Sequence, residues 1–191
     1  MPRSELRIIG GRWRGRWVSF HALPGVRPTP DRVRETLFNW LQPVLPGSHC
    51  LDLFCGSGAL TIEALSRGAA RVVALDTSSA VLREVERNLS RLGADAVQLV
   101  QADAREWLRT RPGGPWNIVF LDPPFGQGLL APCLSLLAAP GVLVAAARVY
   151  VESAATEELP QLPEGWTLHR EKTAGQVSYR LLLAPEQAGV P

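Results

Sequence analysis

Leu51-Asp-Leu-Phe-Cys-Gly-Ser-Gly-Ala-Leu60 is the stretch on which the fold turns. The apolar run Cys50 to Phe54 predicts a buried strand that holds a single acid, Asp52. Glycines follow at Gly56 and Gly58, and the segment from Ala59 to Arg67 predicts a helix. Strand, glycine turn and helix N-terminus together make a nest of backbone N–H groups at the carboxyl end of a parallel sheet. Doubly wound α/β folds bind nucleotide-like ligands at that place. The dinucleotide fingerprint requires a third glycine or alanine three residues after the second, and Thr61 stands there instead. Asp52 would repel a pyrophosphate and attract a cation or an amine. S-adenosylmethionine offers both, in its sulfonium and its α-amino group. A side chain at Gly58 is expected to occupy the space of that ligand.

Downstream of Gly68 the β–α alternation repeats. Arg71-Val-Val-Ala-Leu-Asp76 predicts a second strand that ends in a carboxylate, where doubly wound folds place an acid to accept ribose hydroxyls. A helix from about Ser79 to Leu92 turns Val81, Leu82, Val85 and Leu89 inward. Val97 to Ala102 is a third strand, ending at Asp103, and Ala104 to Arg109 a short helix. Trp116 to Leu121 is a fourth strand that runs into Asp122-Pro-Pro-Phe125.

That tetrapeptide is the second chemical signal. Two prolines stiffen an extended backbone and remove two donors, leaving the Asp122 carboxylate and nearby carbonyls as acceptors. Phe125 sets a flat apolar face beside them. Such a site fits a planar base with an exocyclic amino group, whose N–H bonds meet the acceptors while its ring stacks.

The N-terminal part differs in charge. Residues 1–34 hold eight arginines against Glu5 and Asp31, a balance of +6, so the overall +2 leaves −4 on the remainder. A basic end on a mildly acidic body suits a polyanionic partner. Arg7-Ile-Ile-Gly-Gly-Arg-Trp-Arg-Gly-Arg-Trp17 predicts a β-hairpin turning at Gly10-Gly11. Arg12, Arg14 and Arg16 would share one strand face, with Trp13 and Trp17 sealing the other onto the body. Arg27-Pro-Thr-Pro-Asp-Arg-Val-Arg34 leads into a helix capped by Thr29 or Asp31, with Val33, Leu37, Phe38 and Leu41 as its apolar stripe. Arg27, Arg32 and Arg34 are expected on the same side of the active-site mouth as the hairpin arginines.

The totals bound the class. A chain of 191 residues, 46% apolar and 20% charged, suits one soluble domain. Its longest apolar run, Leu136 to Ala147, is broken by Pro140-Gly141 and is too short to span a bilayer. Cys50, Cys55 and Cys133 match no metal-ligand spacing and lie in core-like segments, so reduced thiols in a cytoplasmic protein are expected, and no metal.

Together, Asp52-Leu-Phe-Cys-Gly-Ser-Gly58 and Asp122-Pro-Pro-Phe125 resemble the S-adenosylmethionine-dependent amino-methyltransferases of nucleic-acid bases. Three further segments, Arg7 to Arg16, Arg27 to Leu41 and Leu168 to Leu181, resemble the RsmD type, and the likeness spans about Arg7 to Leu183. That family methylates N2 of a guanine in bacterial 16S ribosomal RNA, guanine 966. The resemblance implies a Rossmann-like class I methyltransferase: an α/β fold with a seven-stranded, mostly parallel sheet, an antiparallel last strand and helices on both faces. A small basic N-terminal hairpin over residues 1–26, the catalytic domain over 27–184 and a disordered tail over 185–191 complete the expected organisation. A helix around Leu129 to Leu137, a strand Arg148 to Glu152 and a hairpin of Thr167–Lys172 with Val177–Leu183 would finish the sheet.

By the same resemblance the cofactor would lie on Asp52, Phe54, Gly56 and Gly58, its ribose on Asp76 and its adenine at Asp103 and Ala104, leaving as S-adenosylhomocysteine. The target base would meet Asp122, Pro123, Pro124 and Phe125. Arg12, Arg14, Arg16, Arg27, Arg32 and Arg34 would contact RNA, within the small ribosomal subunit, and a monomer is expected. Adenine-N6 and glutamine methyltransferases share both motifs, though a glutamine enzyme gains nothing from the arginines. A non-catalytic RNA-binding module would have no use for four strand-end carboxylates.

Overall fold

The computed structural model describes residues 3–21, 29–110 and 113–186. Arg27 and residues 187–191 of the expected tail lie outside these. The order of elements is β1 (Arg3–Arg7), a 3-10 turn (Gly11–Trp13), β2 (Trp17–His21), α1 (Asp31–Leu41), β3 (His49–Asp52), α2 (Ala59–Ser66), β4 (Arg71–Asp76) and α3 (Ser79–Leu92). There follow β5 (Val97–Gln101), α4 (Ala104–Thr110), β6 (Trp116–Leu121), α5 (Leu130–Leu137), β7 (Leu143–Ala154), β8 (Thr167–Ala174) and β9 (Val177–Leu183).

Seven strands form one sheet in the order β5-β4-β3-β6-β7-β9-β8. The first five are parallel, and β9 runs antiparallel between β7 and β8. The strand order reverses between β3 and β6, the point at which open α/β sheets leave a crevice at their carboxyl edge. This is the expected Rossmann-like architecture, with the last strand antiparallel as read from the sequence. Strand β7 is longer than expected, reaching back to Leu143 and on to Ala154.

Period-2 alternation divides the core into two layers. Cys50, Val72, Ala74, Ile118, Phe120 and Tyr150 face α1, α2, α3 and the N-terminal strands. Leu51, Val73, Leu75, Val119, Leu121 and Val151 face α4 and α5. Helix α1 buries the expected stripe, Val33, Leu37, Phe38 and Leu41, and Phe38 meets Phe120 at 5.9 Å between ring centroids. Each such buried side chain contributes roughly 1.5–3 kcal/mol by removal from water. Ser78 caps α3, accepting from the Val81 N–H, and Gly93 ends it in the left-handed conformation.

The N-terminal strands form a separate two-stranded sheet, yet Leu6, Ile8, Trp13, Val18 and Phe20 belong to the same core layer as α1 to α3. Their connection departs from the expected hairpin. Gly10-Gly11 is not its turn, and residues 11–13 form a 3-10 turn rather than strand. A Cβ on Gly11, at φ +75°, would stand 1.8 Å from the Ser66 carbonyl oxygen. Glycine is therefore required because the chain presses on the end of α2. The arginines do not share a strand face. Trp13 is buried, whereas Trp17, expected to seal the hairpin, is 62% exposed.

Candidate active site

Four carboxylates stand on one face of the sheet at its carboxyl edge, because they follow inward-facing residues of that face by two positions. Asp52 follows Cys50, Asp76 follows Ala74, Asp122 follows Phe120 and Glu152 follows Tyr150. The sequence reading found three of these and placed Asp103 beside them. It missed Glu152, although an acid closing the run Arg148-Val-Tyr-Val-Glu152 repeats the pattern of the other strand ends.

Asp52 is buried and accepts 2.7 Å from the Thr61 hydroxyl, with backbone support from Phe54 and Thr61. Thr61, which broke the dinucleotide fingerprint, is thus the residue that orients this acid. Burial raises the Asp52 pKa to about 6, above what the Thr61 bond offsets, and Asp76 adds to the rise. Among the described residues none of its bonding partners is a cation.

The glycine loop is laced to the neighbouring strand ends. Leu53 N–H donates to the Phe120 carbonyl at 3.1 Å, and Cys55 N–H to that of Leu75 at 2.7 Å. Gly56 N–H donates to Asp76 Oδ2 at 3.1 Å, and Ser78 N–H to Oδ1 at 2.8 Å. The Asp76 carboxylate therefore shapes the loop. Gly58, at φ +78°, begins α2, and a Cβ there would meet Val85 of α3 at 3.0 Å. The expectation that its side chain would fill the ligand space is corrected: left-handed backbone and helix packing require this glycine.

Asp103 Oδ1 accepts the Arg105 and Glu106 N–H groups, and Oδ2 pairs with the Arg105 guanidinium at 3.1 Å. The Arg105 hydrogen bonds hold its pKa below the ordinary value. Ala104 is buried as the first residue of α4, and Phe54 is half-buried in the loop.

Beyond β6, Asp122 is partly buried and Pro123 buried, while Pro124 and Phe125 are exposed. Thr29, expected to cap α1, does not. Its hydroxyl reaches Asp122 Oδ2 at 3.5 Å and lies close enough to Glu152 to lower the proton affinity of that carboxyl somewhat. Burial, then the charges of Glu152 and Asp52, push the Asp122 pKa well up. Glu152 is also raised, chiefly by burial, although it accepts the Tyr150 hydroxyl at 2.6 Å. Glu157 ties the following loop to the end of β7, accepting 2.6 Å from Gly126 N–H and 3.3 Å from Ala154 N–H. A cavity of about 280 Å³ opens here, lined by Pro123, Phe125, Leu129, Glu152 and Glu157 among others. A larger hollow, about 370 Å³ beside Gly11, Arg12 and Asp95, lies at the opposite edge, away from these carboxylates.

The arginines separate into three groups. Arg34 is a correction, being fully buried and unable to meet RNA. It bonds Asp31 at 2.6 Å, the Arg7 carbonyl at 2.9 Å and Glu63 at 3.4 Å. Glu63, also buried, accepts the Ile9 and Gly10 N–H groups and Arg67. Arg12 and Arg16 are exposed but reach the last carbonyls of α3, those of Gly93 at 3.4 Å and Arg91 at 3.0 Å, where the helix dipole is negative. Helix α3 leaves the carboxyl edge and ends at the amino edge, so these two arginines stand far from the active-site mouth, against expectation. Arg14 is exposed in the same turn, and Arg32 is exposed on the first turn of α1.

Burial holds the thiols of Cys55, Cys50 and Cys133 above their ordinary range, the last two to about 12 and 11, which makes them poor nucleophiles. All three are free. Among the described residues no cluster of metal-ligating side chains occurs, and no helix is long and apolar enough to cross a membrane.

Comparison with known proteins agrees with this geometry. The solved structure of yhhF from Escherichia coli superposes with a TM-score of 0.87 at 49% identity, covering 96% of this chain and 100% of that one. HI0767 from Haemophilus influenzae gives 0.82 at 41% identity, with 96% and 100% covered. Ribosomal RNA small subunit methyltransferase D of Escherichia coli K12 is 51% identical over 178 residues, 93% of this chain and 89% of that one. Its namesake in Haemophilus influenzae is 43% identical over 182 residues, 94% of each chain. The pattern of the family described as Conserved hypothetical protein 95 matches residues 6–183. By that match, and by identity of half the residues over nearly the whole length, the chain belongs to this family together with the ribosomal RNA small subunit methyltransferases D.

Proposed function

We propose that the protein transfers a methyl group from S-adenosylmethionine to the exocyclic N2 of a guanine in 16S ribosomal RNA, guanine 966, within the small subunit. It would act as a cytoplasmic monomer. The observation that carries the reading is the pair Asp52 and Asp122 on adjoining strands at the switch point, one beside the glycine loop and the other opening the Asp122-Pro-Pro-Phe125 edge. The names of the relatives support the substrate class.

The residues fit such a cofactor. Asp52 would hold its cationic end near Gly56 and Gly58, Asp76 its ribose, and Asp103 with Ala104 its adenine. When bound, it supplies a methyl group on a positively charged sulfur, an electrophile that needs no metal. Guanine N2 is a poor nucleophile because its lone pair is delocalised into the ring. Asp122 and the Pro123 carbonyl would accept both amino hydrogens, favour a pyramidal nitrogen and stabilise the positive charge that develops there. Phe125, 42% exposed, offers the ring a stacking surface.

Exposed Arg14 and Arg32, with Arg12 and Arg16, would contact phosphates, and Arg27 is kept among the proposed contacts. So few base-reading groups imply recognition of folded RNA by shape. Radiolabelled methyl transfer to ribosomal RNA, small subunits, DNA and protein, followed by nucleoside analysis, tests all of this. N2-methylguanosine is the expected product. N6-methyladenosine or a methylated glutamine would overturn the reading.

A further inference from the structure

We propose that Glu152 selects the base, its carboxylate accepting the N1–H of guanine while Asp122 accepts from N2. This rests on the guanine reading above and extends it to a residue that reading does not use.

Strands β6 and β7 pair in parallel with Leu121 opposite Val151, which sets Asp122 beside Glu152 at neighbouring strand ends, on the same face. Glu152 is 3% exposed and still contributes to the wall of the cavity next to Pro123 and Phe125. Its Oε1 takes the Tyr150 hydroxyl at 2.6 Å, which fixes the carboxyl, while the nearby Thr29 hydroxyl donates to Asp122 Oδ2 at 3.5 Å. One hydroxyl proton cannot serve two carboxyls at once. Side by side, with Glu152 buried and Asp122 partly buried, the pair has only the Thr29 and Tyr150 hydroxyls as side-chain donors among the described residues.

The Watson–Crick edge of guanine presents two adjacent donors, N1–H and the N2 amino group. That of adenine presents an amino group beside a bare N1 lone pair, which would face the Glu152 carboxylate and repel it. A donor–donor edge against two acceptors is therefore the complementary arrangement. A purine with the amino group but no N1–H should be rejected even though its reactive nitrogen is in place.

2-Aminopurine is that purine. In RNA substrates carrying guanine or 2-aminopurine at the target position, the wild-type protein should prefer guanine by at least about a hundredfold in kcat/KM. Glu152→Gln keeps the shape and can still accept from Tyr150, yet can turn an amide N–H toward a bare N1. It should lower the rate on guanine and shrink the preference to roughly tenfold or less. Tyr150→Phe, which only frees the carboxyl to turn, should give an intermediate preference and serves if the glutamine variant does not fold. An undiminished preference in the variants would overturn the role of Glu152, leaving it a buried partner of Tyr150. Failure of the wild-type protein to make N2-methylguanosine on the guanine substrate would instead overturn the reading beneath it.

Discussion

The carboxyl edge of the sheet and the root of the N-terminal segment both bury charge, in opposite ways. At the root, Glu63 uses both oxygens, on two backbone N–H groups and two guanidiniums, and Arg34 spends its terminal nitrogens on Asp31, Glu63 and a carbonyl. At the edge, Asp52, Asp122 and Glu152 meet hydroxyls and amides and, among the described residues, no cation, and each holds its proton more tightly than usual. The first arrangement is satisfied apart from the buried Arg34 Nε, and it stabilises the fold. The second has few partners among the described residues, which suits the proposed site, one that would receive a cation and N–H donors.

Breaking the settled side should cost most. Glu63→Ala leaves the buried Arg34 guanidinium, the partly buried Arg67 guanidinium and two N–H groups without their acceptor, and should lower stability by about 3–5 kcal/mol in chemical denaturation. A loss below about 1 kcal/mol would mean that the segment is not held there. On the poised side, Asp122→Ala should leave the fold and cofactor affinity nearly unchanged and slow single-turnover methyl transfer by about a hundredfold or more. Near-normal rates would remove Asp122 from the chemistry.

The pH dependence sharpens the same contrast. The Asp52 pKa in the fold, about 6, exceeds its ordinary 3.8. Its contribution to the stability of the free protein is therefore full below pH 4 and fades as pH rises through 6, by up to on the order of 3 kcal/mol. Cofactor binding, which favours the ionised form, should tighten over that rise and level off above it. Asp52→Asn should weaken binding and flatten this part of the profile in calorimetry between pH 5 and 8. An unchanged profile would assign the titration elsewhere. The smallest effect belongs to Arg14 and Arg32. Alanine at both should leave melting unaltered and reduce the slope of log affinity for RNA against log salt by about one per residue. An unaltered slope would make them ordinary solvated side chains.

How far the sequence could be read follows from which contacts are local. The β–α rhythm, the strand-end acids Asp52, Asp76 and Asp122 and the stripe of α1 are periodic signals, visible one segment at a time. Thr29 gave a local signal too, but a misleading one: it looks like a helix cap and instead donates to Asp122, 93 residues away in the chain. Arg34 is spelled like its neighbours, and its burial depends on Glu63, which no pattern near it announces. Gly10-Gly11 has the composition of a hairpin turn, whereas its reason is the closeness of Ser66 and Arg67. Short-range patterns report periodicity, and tertiary neighbours decide which charge is exposed.

The attachment of Arg12 and Arg16 to the end of α3 makes that helix a ruler. Its N-terminus adjoins Asp76 and Ser78, its C-terminus carries the two arginines, and its 14 residues span about 21 Å. At 3.4 Å of rise per step, that length matches about six stacked nucleotides of one strand. If the protein grips RNA as proposed, an RNA engaged at both ends would have to present phosphates that far from the target base. A shorter oligonucleotide would have to choose between the grip and the pocket.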